Sequence, residues 1–82
     1  MPTIAIIYGV RIEIKTLPKE HNPPHIHANY GNFYASFSII DCELLIGRFP
    51  YKQAQIVSNF IKEHQEELLE MWNTQNFHKI GD

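Results

Sequence analysis

The chain has a single cysteine, Cys42, among 82 residues. Neither an intrachain disulfide nor a cysteine-based zinc site can be built from one thiol, so nothing calls for an oxidising compartment and the cytoplasm is the expected location. Long apolar runs are also missing. No stretch approaches the roughly 18 apolar residues of a membrane span, and Met1-Pro2-Thr3-Ile4 places no basic segment ahead of its short apolar run, which disfavours membrane insertion and secretion. An excess of basic charge is absent too. The formal net charge is −2, with seven basic and nine acidic side chains, so phosphate neutralisation alone would bind nucleic acid poorly and any such role needs local chemistry. There is no internal repeat, heptad pattern or low-complexity segment.

What remains is an ordinary globular composition, 44% hydrophobic and 20% charged, in a chain long enough for one hydrophobic core. A domain of this size buries only about 60 to 65% of its unfolded surface, so residues 1–82 are expected to form a single domain of modest stability, for which a homo-oligomer is plausible. Basic residues slightly exceed acidic ones up to Lys52. The remainder, with Glu63, Glu66, Glu67 and Glu70, is acidic.

The pattern predicts an α+β fold: an antiparallel sheet of about five strands (a hairpin over 3–15, then strands 25–30, 33–39 and 43–48) packed by one long C-terminal helix over about 50–73. Val10, Ile12 and Ile14 alternate with Arg11, Glu13 and Lys15, as in a half-buried strand, and Gly9 marks the preceding turn. Residues 16–24 hold three of the five prolines and read as a stiff loop. Gly31-Asn32 suits a two-residue hairpin turn. Pairing outward from it places Tyr30 opposite Phe33, Ala28 opposite Ala35 and Ile26 opposite Phe37 on an apolar face. Asn29 opposite Tyr34, His27 opposite Ser36 and His25 opposite Ser38 form a polar one. The same arithmetic sets Leu44 beside Ile39 and Ile46 beside Phe37, continuing the apolar face. Val57, Phe60, Ile61, His64, Leu68, Met71 and Trp72 recur at helical spacing after Pro50, wide enough to cover a sheet. Thr74 to Asp82 reads as an extended tail or one added strand.

The chemistry-bearing stretch is Glu20-His21-Asn22-Pro23-Pro24-His25-Ile26-His27. Residues two apart in a strand share a face with Cα atoms roughly 6.5 to 7 Å apart, so the His25 and His27 rings can converge on the solvent side. His21 can join them through a stiff Pro-Pro link. Three readings stay open. Three neutral imidazoles with an open fourth position would suit zinc, held by His21, His25 and His27. Alternatively, His25 and His27, assisted by His21, act as base and acid on a ribose 2′-hydroxyl and a leaving oxygen. In that reading Lys19, Arg48 or Lys52 sits near the phosphate, and Tyr34, Ser36 and Ser38 on the same face orient rings or substrate. The third is non-enzymatic: histidines that only pack, or a protein-interaction domain in which the acidic helix or the histidine face docks a small cognate protein. His64, mid-stripe, reads as core or its edge, and Trp72, Phe60 and Met71 read as packing. Cys42 lacks the cationic setting of a reactive thiolate.

The chain resembles the small bacterial domain of unknown function 4160 family. The likeness runs through Met1-Pro2-Thr3-Ile4, His21 with Pro24-His25-Ile26-His27, Glu43-Leu44-Leu45 with Gly47 and Pro50, Lys52-Gln53, and His64 with Glu67-Leu68 and Trp72. The resemblance implies one half of a toxin and antitoxin module, hence a small cognate protein encoded nearby; RNA is a candidate target through the acid and base reading of the histidines. The resemblance carries over no catalytic role.

Overall fold

A computed structural model describes residues 3–15 and 23–80. Five strands, β1 (Thr3–Ile7), β2 (Val10–Glu13), β3 (His25–Tyr30), β4 (Phe33–Ser38) and β5 (Leu44–Arg48), form one antiparallel sheet in chain order, followed by helices α1 (Tyr51–Glu63) and α2 (Gln65–Thr74). This is the expected α+β architecture, with two helices in place of one. No helix among the described residues is long and apolar enough to cross a membrane.

Local chemistry accounts for the strand order. Tyr8 and Gly9 both take positive φ, 48° and 80°, which gives the tight turn a twist matching the strands it joins. Gly31 turns β3 into β4 at φ 58°. Each of the six residue pairs expected of this second hairpin is observed, from Tyr30 opposite Phe33 to His25 opposite Ser38.

The pairing of β5 differs from expectation. Phe37 faces Leu44 and Ser36 faces Ile46, with a register irregularity between Ser36 and Phe37. The cause lies in the preceding turn. Cys42 enters the left-handed region at φ 63°, Ser38 N–H donates to Glu43 O at 2.8 Å, and the Ser38 hydroxyl accepts the Asp41 N–H at 3.0 Å, so the turn is wider than a simple hairpin. A bulge then shifts the phase of the strand. Ile46 consequently leaves the apolar face and is 71% exposed, with Leu44 and Leu45 also exposed along the open edge of the sheet.

The core unites Ile4, Val10, Ile12, Ile14, Ile26, Ala28, Ala35, Phe37 and Ile39 with Val57, Phe60 and Ile61 of α1 and Leu68 and Met71 of α2. The single long helix is corrected by a break at His64, whose φ and ψ are −120° and 27°. Apolar periodicity runs unbroken through this point and does not reveal it. The break coincides with an anchor: the Gln65 side chain donates to Ile39 O at 2.8 Å and Ile40 O at 3.0 Å, fixing the start of α2 to the β4–β5 turn. His64 sits at the joint, half-buried, with its ring 4.7 Å from that of Phe60 and its nitrogens 3.9 Å from Glu63 and 3.7 Å from Glu67. It lies at the edge of the core rather than within it.

After α2 the chain turns at Gln75, in the left-handed region at φ 61°. The tail returns to the far edge of the sheet, where Ile80 is buried and its N–H donates to Ile4 O at 2.7 Å. A contact between His78 Nε2 and Glu67 at 2.6 Å holds it along the way.

Candidate functional site

Cross-strand register stacks the polar face into rows. Arg11, Asn29, Tyr34 and Arg48 form one, and Glu13, His27 and Ser36 the next. His25 lies opposite Ser38 in a third. Arg11 and Arg48 are exposed, and Lys15 is near enough to act electrostatically on His27. This face therefore brings Arg11, Lys15 and Arg48 to the histidine rows together with one carboxylate, Glu13, whose Oε2 lies 4.0 Å from Arg11 Nη1.

The two imidazoles converge, with centroids 5.0 Å apart and planes at 72°. Their environments are unlike. His25 is half-buried, and its Nδ1 donates to Pro23 O at 2.9 Å. A carbonyl can only accept, so the neutral ring carries its proton on Nδ1 and presents the lone pair of Nε2.

His27 departs from the solvent-facing placement expected of an odd-numbered position on the polar face. It is only 7% exposed, and Glu13 and Ser36 beside it are buried as well. Alternation assigns a side chain to a face but does not say what lies over it. Here the cover is aromatic: the Tyr34 ring stacks at 5.6 Å with an interplanar angle of 22°, and His25 packs edge-on. The Tyr34 hydroxyl hydrogen-bonds His27 Nδ1, with the Ser36 hydroxyl at 3.4 Å, while His27 Nε2 is buried without a partner among the described residues. Burial, reinforced by the Lys15 charge and by His25, pushes the His27 pKa from 6.5 down to about 4. His27 is therefore neutral at physiological pH.

That shift has a consequence for stability. Between pH 4 and 6.5 the unfolded chain binds a proton at this position that the folded one does not, so stability falls as the pH drops through that window and levels off below it. The full effect is at most on the order of 3 kcal/mol, from about 1.4 kcal/mol per pKa unit. Urea unfolding of wild type and His27→Gln at pH 7 and pH 4.5 checks it. The wild type should lose stability relative to the variant on acidification, and equal losses would contradict a buried neutral imidazole.

The other expected site residues divide. Tyr34, Ser36 and Arg48 stand with the histidines. Ser38 is 1% exposed and holds the β4–β5 turn, so the fold occupies its hydroxyl. Lys52 is exposed in the first turn of α1, in the layer that covers the apolar face. His21 and Lys19 lie outside the described residues. Among the described residues, no three of His, Cys, Asp and Glu are grouped to hold a metal ion. Sequence reasoning missed Trp72, whose indole lies 5.0 Å from the His25 ring. It also missed Arg11 and Lys15 as neighbours of the histidines, although their alternation with Val10, Ile12 and Ile14 already put them on this face.

A family model described as a domain of unknown function, DUF4160, matches residues 9–73. The chain belongs to the DUF4160 family. The matched span takes in β2 to β5, both imidazoles, Tyr34, Arg48 and Trp72, so the whole histidine face is DUF4160 sequence. No curated protein and no solved structure matches the chain significantly.

Proposed function

We propose that this protein is the toxin-like half of a toxin and antitoxin pair and that its histidine face cleaves RNA as a histidine-dependent endoribonuclease. The observation that carries the reading is the meeting, on one sheet face, of an imidazole whose Nε2 is engaged by none of the described residues, a neutral imidazole bonded to a tyrosine hydroxyl, and three cations, of which Arg11 is paired with Glu13. In this scheme Arg48, Arg11 and Lys15 hold a phosphodiester against the face. His25 Nε2 takes the ribose 2′-hydroxyl proton, the 2′-oxygen attacks the adjacent phosphorus, and the bond to the 5′-oxygen breaks. The products are a 2′,3′-cyclic phosphate and a 5′-hydroxyl.

The low basicity of His27 argues against it as the direct acid at neutral pH. It serves instead by donating from Nδ1 to the Tyr34 oxygen, which eases transfer of the Tyr34 hydroxyl proton to the leaving oxygen. Solvent then reprotonates the phenolate, and His25 returns its proton to water. Incubating purified protein with single-stranded RNA and with its 2′-deoxy counterpart tests the reading. Cyclic-phosphate ends should form from the RNA alone, and Tyr34→Phe should slow their formation by roughly tenfold or more. Intact RNA at stoichiometric protein, or equal cleavage of the 2′-deoxy strand, would overturn it.

The Nε2 of His27, without a partner among the described residues, and a second imidazole, His25, with its ring centroid 5.0 Å away favour a second reading, a zinc site. Two imidazole nitrogens fit the donor set of zinc, and His21 would supply the third. A non-enzymatic role for the protein would use the open edge of β5 instead. Its exposed Leu44, Leu45 and Ile46 suit a strand of the cognate protein, or of a second copy.

A further inference from the structure

We infer that Trp72 is a positioning residue for His25, so that α2 forms part of the site rather than only part of the core; this rests on the proposed role of His25 as the base. Among the described residues three groups surround the His25 ring: the Pro23 carbonyl at 2.9 Å from Nδ1, the His27 ring with its centroid at 5.0 Å, and the Trp72 indole with its centroid at 5.0 Å and planes tilted by 55°. Only the first of these selects a tautomer. A hydrogen bond to a backbone carbonyl at this half-exposed position competes with water, and a ring free to turn about χ2 would exchange Nδ1 for solvent contacts. The indole removes that freedom by occupying one side of the ring while His27 occupies another. Nδ1 is thereby kept on Pro23 O, and Nε2 keeps its lone pair toward the face where a substrate would lie.

The surroundings of Trp72 fit a fixed support. Met71, the preceding residue, is 1% exposed and locked into the core, and Leu68, one turn earlier, is fully buried. The helix end is tied down, since Gln75 N–H donates to Met71 O at 2.8 Å and the Gln75 side chain donates to Trp72 O at 2.9 Å. Trp72 is itself only partly buried, although the indole is the largest apolar side chain in the sequence and the core beneath it is closed. Beyond the break at His64, α2 carries Trp72 to the His25 ring at the start of β3.

The His25 tautomer gives a readout that does not require activity. Nitrogen-15 spectra of the imidazoles at neutral pH should show wild-type His25 held as the Nδ1–H form. Trp72→Ala should shift it toward a mixture with the Nε2–H form, and Trp72→Phe, which keeps an aromatic wall, should restore it. In RNA cleavage, Trp72→Ala should lower kcat by about tenfold with KM changed by less than about twofold, the pattern expected when a base is misaligned and binding is spared. Well-dispersed amide spectra of each variant establish that it folds. If Trp72→Ala leaves the His25 tautomer unchanged in a folded protein, the positioning role is overturned even where RNA is cleaved. If wild type cleaves no RNA but the tautomer responds to Trp72, the indole still positions His25 and the ribonuclease reading alone falls.

Discussion

Replacing Gly47 by alanine should unfold the edge of the sheet and lower stability by on the order of 3 to 5 kcal/mol. Gly47 lies in β5 at φ 101°, where an L side chain is strained. Space adds a second penalty. A Cβ built there would stand 2.3 Å from Tyr34 O and 2.8 Å from Ala35 Cα, and both are backbone atoms of the adjoining strand that cannot swing aside. For a domain of this size total stability is about 4 to 12 kcal/mol, so the variant approaches the limit of folding. Thermal melts followed by far-ultraviolet circular dichroism should show a midpoint lowered by roughly 15 to 25 °C, or no transition at all. Alanine at Gly31 provides the comparison. That turn glycine has φ 58° but nothing within 4 Å of a Cβ, so its cost is limited to backbone strain of about 1 kcal/mol. Equal melting of the two variants would show that β4 and β5 are not in the close contact described.

Under the proposed ribonuclease reading, His25→Ala should abolish growth arrest. If the histidine face cleaves RNA, expression of wild type in a bacterial host arrests growth, and removal of the base lowers the cleavage rate by about 100-fold or more, enough to restore colonies. Arg48→Ala should weaken RNA binding instead, most visibly as salt is raised, because it removes one phosphate contact from a small set. The pairing of Arg48 with Tyr34 across β4 and β5 puts it on the same face of the sheet as the proposed acid. Arrest that persists undiminished in His25→Ala, with RNA intact in both strains, would move the activity to protein binding and away from chemistry.

How much of this could be read in advance depended on whether a local signal set the geometry. The β3–β4 register followed from a two-residue turn, because Gly31-Asn32 leaves one pairing that keeps Ile26, Ala28 and Tyr30 together. From that register alone the convergence of His25 and His27 was legible. The phase of β5 was not, since a turn containing Cys42 at positive φ and a bulge after it displace the strand without any glycine or proline to mark them. The helix break was hidden for a different reason: Val57, Phe60, Ile61, Leu68 and Met71 keep one continuous period on both sides of His64, and the side-chain anchor at Gln65 is a tertiary contact. Burial of His27 and the approach of Trp72 to His25 likewise depend on what packs above a face, which spacing along a strand does not encode.

Because neighbouring strands in the sheet are also neighbours along the chain, each pairing closes only a short loop. Such a meander can assemble rung by rung while synthesis is still under way, at a speed typical of folds with little long-distance wiring. One seam has to wait. The rung between Ile80 and Ile4 joins the last described residues to the first strand, so that border of the sheet stays unsealed until the segment after α2 has been made.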